Sequence, residues 1–164
     1  MRRLQVLSDN LNALLEYESQ GISTITPKPS ELLAQFEKDR TAAIRNGAEH
    51  IVEAALAKAK VTVSQKSGIT TIEKALVKLQ EFRSKTGDTV DLADLEARLT
   101  GFIHDIQLEG YLEVAKKAEF KGNRKKAIDA YQEALYLLRT DAIDDAGQAQ
   151  QISEIEGKIK ALTE

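Results

Sequence analysis

The sequence predicts an all-α protein, and three observations carry that expectation. Ala, Leu, Glu, Lys and Gln are abundant, and these side chains lose little rotamer freedom in a helix. Apolar residues recur at spacings of three and four along most of the chain, the period of a helix face. Aromatics make up only 5 % of residues and there are two prolines, with few of the β-branched runs that favour a sheet. The one strand-like alternation, Val61-Thr62-Val63, is very short. With Ser64 to Gly68 it reads as a loop.

A first helix is expected from about Leu4 to Ser19, where Leu4, Leu7, Leu11, Leu14 and Leu15 form one stripe and Gly21 stops it. Residues Gly21 to Pro29 should run extended, because Pro27 and Pro29 move the residue before each of them out of the α region. Ser30 is expected to cap the second helix, with Glu31 in the first turn complementing the helix dipole. Its stripe is Leu32, Leu33, Phe36, Ala43 and Ile44. Asn46-Gly47 is a terminator by residue type, yet the register resumes at once with Ala48, Ile51, Val52, Ala55, Leu56 and Ala59. One helix interrupted at Gly47 is therefore favoured over two. Thr70 or Thr71 is expected to cap the third helix, which carries Ile72, Leu76, Leu79 and Phe82 on one face and ends at Thr86-Gly87-Asp88.

Asp91 is expected to cap the next segment, where Leu92, Leu95, Leu99, Phe102 and Ile106 form a heptad-like seam. Gly101 and Gly110 each cost about 1 kcal/mol relative to alanine in a helix. No stronger breaker precedes Gly122, so the pattern accommodates a bent helix of roughly thirty residues. A further helix runs from about Arg124 to Leu138, and Asp141 to Asp145 form an acidic turn. The last helix carries Ala149, Ile152, Ile155, Ile159 and Leu162, with Lys158 and Lys160 in its closing turns. The expectation is five to seven helices in three segments. Residues 1–29 are a helix and a proline-containing linker, 30–87 a helical hairpin, and 88–164 a three-helix unit.

One stretch carries more than periodicity. Ala115, Ala118, Ala127 and Ala134 are small enough to let two antiparallel helices approach. Gly122 permits the turn between them, and Tyr111 and Tyr131 supply large filling surfaces. With Val114 and Leu135, this set resembles a tetratricopeptide repeat over 111–139, about 30 of the 164 residues. The run Gly122 to Leu135 is the strongest part. The departures are Ala115 where a glycine is usual, Ala118 where a tyrosine is usual, and Arg139 where a proline often closes the unit. No second copy recurs at a fixed period, and one unit cannot build a solenoid. The hairpin's first helix and the last two helices also resemble, in outline, a microtubule-interacting-and-trafficking domain, a three-helix bundle that binds amphipathic helices. Both resemblances imply a helical shape and a protein partner. Tetratricopeptide proteins that grip a C-terminal carboxylate use Lys, Asn and Arg from several repeats. Lys116 alone does not imply such a clamp.

Composition narrows the function classes. There is no cysteine, hence no disulfide framework, thiolate metal site or cysteine nucleophile. The net charge of −3 gives no global nucleic-acid signature. No apolar run approaches the ~20 residues that span a bilayer, and Gln5, Ser8, Asp9 and Asn10 break any signal-peptide core. A cytoplasmic protein is expected.

Candidate functional residues are few. Lys116, Lys117, Lys121, Arg124, Lys125 and Lys126 place six cations in eleven residues around the Gly122 turn, opposed by Glu119. This is either a solvated turn or a site for acidic peptide, phosphate or nucleic acid. No aromatic platform interleaves with the cations, which argues against single-strand stacking. Asp141, Asp144 and Asp145 lack the glycine and glutamate of a calcium loop and read as helix capping. Neither His50 nor His104 follows a glutamate three residues earlier, as helical-bundle metal sites require. Ser64, Ser67 and Thr70 near Gly68 lack a phosphate-binding glycine pattern. No catalytic residue, cofactor or metal is expected. The leading expectation is a non-catalytic protein–protein interaction module with an apolar groove between the hairpin and the last helix. The alternatives are self-association through the Leu92–Ile106 or Leu33–Leu56 seams and anion binding at the basic turn.

Overall fold

The computed structural model describes residues 2–22, 25–62, 64–87, 90–140 and 146–164. Among the described residues the fold is all-α, with six helices and no strand. They are α1 (Arg2–Ser19), α2 (Pro29–Lys60), α3 (Gln65–Thr86), α4 (Ala93–Phe120), α5 (Arg124–Thr140) and α6 (Ala146–Thr163). Each helix packs on the next along the chain, and α2 also touches α4. None of them is long and apolar enough to cross a membrane.

The second helix is continuous through Gly47, as the unbroken apolar register requires. Gly47 is a point of close approach rather than a break. A β-carbon there would lie 2.8 Å from the ring of Phe82 on α3. The start of α2 differs from the sequence expectation. Pro29 takes the first helical position, where its missing N–H costs nothing, and Ser30 lies inside the first turn. The Ser30 N–H and hydroxyl instead donate to the Glu18 carboxylate at 2.9 and 2.8 Å, tying α1 to α2. The backbone N–H of Lys28 donates to Glu31 at 3.3 Å.

The third helix also begins earlier than Thr70 or Thr71. Ser64, in extended conformation, precedes the first helical residue Gln65, so the second half of the stretch expected as a loop is helical. Gly68 misled the reading because it marks contact, not a turn. It is buried, and a β-carbon would come within 3.3 Å of the Ile106 side chain on α4. Asp91 acts one residue away from the expected cap: Leu92 holds the cap position, and the Asp91 carboxylate accepts from the Ala93 N–H at 2.9 Å. The acidic turn at 141–145 lies outside the described residues.

Two apolar cores share α4. The first gathers Val52 and Leu56 from α2, Ile72 and Leu79 from α3, and Leu92, Leu95 and Leu99 around the start of α4. The division expected between residues 87 and 88 thus falls ahead of a half-helix that packs on α2 and α3. The second core gathers Ala115 from the end of α4, Ala130, Tyr131, Ala134, Leu135 and Leu138 from α5, and Ile155 from α6. The centres of both seams considered for self-association are buried within this one chain. Polar ties reinforce the first core at its edge. Arg45 donates to both Asp94 carboxylate oxygens, to Glu49 at 2.9 Å and to the Asp91 carbonyl at 3.2 Å. That network clamps α2 to the beginning of α4.

Candidate binding surfaces

The basic turn is built by the end of α4 and the start of α5. Gly122, at φ +70°, adopts the left-handed conformation that ends a helix without a β-carbon clash. Its N–H donates to the Glu119 carbonyl at 2.8 Å, and the Asn123 N–H to the Ala118 carbonyl at 2.9 Å. This is the paired closure of a Schellman motif. The Asn123 side chain then accepts from the Lys126 N–H at 3.2 Å, capping α5 at once. The turn is therefore short and held from both sides.

All six expected cations lie on this turn or the helix ends beside it, and all six are exposed. Among the described residues only Lys117 of the six has an ion pair, to Glu113 at 2.5 Å. Glu119, the carboxylate expected to oppose them, is engaged inward. It accepts from the Tyr131 hydroxyl at 2.7 Å. Tyr131 is fully buried, and its phenol is pushed up to about 12 by desolvation first and by the Glu119 carboxylate second. The Lys158 ammonium lies 5.7 Å from the centre of the same ring.

The expectation that no aromatic interleaves with the cations is overturned by Phe120. It ends α4 between Glu119 and Lys121 and is 93 % exposed. A signal was present in the sequence. The buried positions Ala115 and Ala118 define one face of α4, and two residues beyond Ala118 a side chain points to the opposite face.

Among the described residues, several hollows lie elsewhere. One, about 330 Å³ and strongly apolar, is walled by Phe36, Ala43 and Ile44 of α2 and Phe82 and Thr86 of α3, with Asp39 and Arg40 beside them. Arg40 also donates to the Thr86 carbonyl at 3.3 Å. A shallow trough of about 820 Å³ follows α2 and α3 past His50, Glu73, Lys74 and Val77. Between α5 and α6, where a groove was expected, a hollow of about 490 Å³ is lined by Leu135, Tyr136 and Ile159. It is bridged by the ion pair of Arg139 and Glu156 at 2.5 Å.

The two histidines do not converge. His50 is exposed on α2 and His104 is half-buried on α4. Among the described residues no three His, Asp or Glu side chains gather as a metal-ligand set. Sequence reasoning missed the Phe36–Phe82 hollow, because each phenylalanine sits on its own helix stripe and the gap between them arises only from packing. Comparison with family models, with curated proteins and with solved structures finds no match to this chain.

Proposed function

We propose that the chain is a non-catalytic protein–protein interaction module. It takes a bulky apolar side chain of a partner helix or extended segment into the Phe36–Phe82 hollow. The observation that supports this reading is the hollow itself. Two phenylalanines, Ala43 and Ile44 wall a solvent-open space of about 330 Å³. That is the lower end of the range for specific ligand sites, and large enough for one aromatic or branched anchor. Asp39 and Arg40 at its side supply the few polar groups that orient such a segment. The tetratricopeptide-like pattern over 111–139 lends weight to the same class of function. The α5–α6 hollow supports it less well, because a partner would have to displace the Arg139–Glu156 pair.

Ala43 provides the test. It is exposed, so Ala43→Arg fills the hollow without disturbing a core. A photo-cross-linking side chain placed at position 43 should capture a discrete polypeptide from a native extract, and an Ala43→Arg protein should no longer pull that polypeptide down. Identical capture by the wild type and Ala43→Arg, at several salt concentrations, would overturn the proposal.

A further inference from the structure

We infer that the α4–α5 turn is a docking tip for an anionic lipid bilayer surface, with Phe120 as the inserting residue. The inference is independent of the Phe36–Phe82 hollow. It starts from charges that the fold leaves unexplained. Lys117 and Lys121 lie at the C-terminus of α4, where cations complement the helix dipole. Arg124, Lys125 and Lys126 lie in the first turn of α5, where the dipole is positive and opposes them. That first turn contains no acidic residue. Among the described residues none of the three has an ion pair, and the nearest carboxylate along α5 is Asp129, one turn further on. Placed there, they add to the positive end of α5 and make a tip that attracts an external anion.

Phe120 selects among anions. It stands 93 % exposed at the end of α4, with Lys116 and Lys117 one turn back on the same side and Lys121 next in sequence. A phenylalanine with cations around it matches the boundary between headgroup and acyl chain, where the ring is buried and the charges meet anionic lipid. The shape agrees. The tip is the closed end of a helical hairpin, and none of the three hollows described above includes a residue of the turn. Such an end suits a bilayer surface. Single-stranded nucleic acid is bound in grooves that stack successive bases on several aromatics, whereas this tip presents one aromatic, Phe120. The closed turn described above fixes the backbone that carries Phe120 and the cations.

The chain has no tryptophan, so Phe120→Trp places a single fluorescent reporter at the tip. This variant of the whole 164-residue chain is mixed with vesicles of phosphatidylcholine alone and with vesicles that also contain phosphatidylserine. The expected result is a blue shift of tryptophan emission, and quenching by brominated acyl chains, with the phosphatidylserine vesicles only. In sedimentation with the same vesicles, Phe120→Ser should weaken partitioning of the otherwise unchanged chain about tenfold. Lys125→Gln with Lys126→Gln should weaken it roughly thirtyfold. Because these side chains are exposed, an unchanged helical circular dichroism spectrum is expected for every variant. An emission spectrum that does not respond to anionic vesicles overturns the inference. So does an equal response to neutral ones, or a response to single-stranded oligonucleotide that exceeds the vesicle response.

Discussion

The two cores on either side of the middle of α4 are built differently. Val52, Leu56, Ile72, Leu79, Leu95 and Leu99 fill the first with branched aliphatic side chains beside Ala48, Ala55, Ala59 and Ala75, and among the described residues no buried polar group enters it. The second sets Ala115, Ala130 and Ala134, with Leu135, Leu138 and Ile155, around one large ring, Tyr131. The aliphatic core depends on volume, since close-packed interiors respond to each methylene removed. The alanine-lined core depends on one amphipathic side chain and on the hydrogen bond that lets its hydroxyl be buried. One helix thus joins a region that fails by cavities to a region that fails by a lost partner.

The sharpest test is truncation in the aliphatic core. Leu99→Ala should destabilise the chain by about 3 kcal/mol, lowering the melting temperature by roughly 10 °C in a chain of this size. Calorimetry of this variant also asks whether the cores melt together. A single transition shifted as a whole would show that α4 couples them, and a split transition would separate them.

Next in size is the tyrosine. Tyr131→Phe keeps the ring but leaves Glu119 without its donor, at a cost of about 2 kcal/mol. The pH dependence has a definite sign. The folded phenol titrates at about 12, above the ordinary value of about 10. Its contribution is therefore complete below about pH 10 and is lost as the pH rises towards about 12. Denaturant melts across that interval should show the decline in the wild type. Tyr131→Phe should flatten it, and an unaltered slope would place the titrating group elsewhere.

Much of this fold was legible in the sequence. The stripes placed α1, the continuous α2, the long α4 and the Gly122 turn, because a buried helix face repeats wherever it packs. What was not legible came from contacts between helices. Gly68 reads as a loop residue and is buried against Ile106. Ser30 reads as a cap and is turned towards Glu18. At the binding surfaces, the six cations were visible as a cluster. The outward direction of Phe120 lay in the helical phase of Ala115 and Ala118, and the hollow between Phe36 and Phe82 required both helices in place.

Glycines give a smaller and cleaner comparison within the same helices. Gly101 of α4 has open space where a β-carbon would sit, so Gly101→Ala should stabilise the chain by about 1 kcal/mol. In α2, Gly47→Ala gains the same backbone preference but pushes on the Phe82 ring, 2.8 Å away, and should show no net gain. Paired thermal melts decide this. Equal stabilisation by both would mean that Phe82 yields freely.

The smallest effect belongs to the clamp at the edge of the aliphatic core. The Arg45 guanidinium, by hydrogen bonding, holds the Asp94 carboxyl below the usual carboxylate range. A lowered folded value stabilises above the ordinary range, and that contribution is lost as the pH falls through the folded value. The pair is exposed and screened by salt. Asp94→Asn should therefore shift the melting temperature slightly at neutral pH and low salt, and not at all in high salt or acid.

The shared α4 also sets an order of events during synthesis. As the chain leaves the ribosome, α2 and α3 can pair, but their apolar faces stay open until Leu92, Leu95 and Leu99 emerge. The same helix then presents Ala115 to a pocket that α5 and α6 have yet to supply. Consecutive helices make nearly all the contacts, so each new segment finds its neighbour already made, a topology that favours fast folding. Between the emergence of α3 and of α4, the aliphatic faces of Val52, Leu56, Ile72 and Leu79 wait uncovered for their third wall.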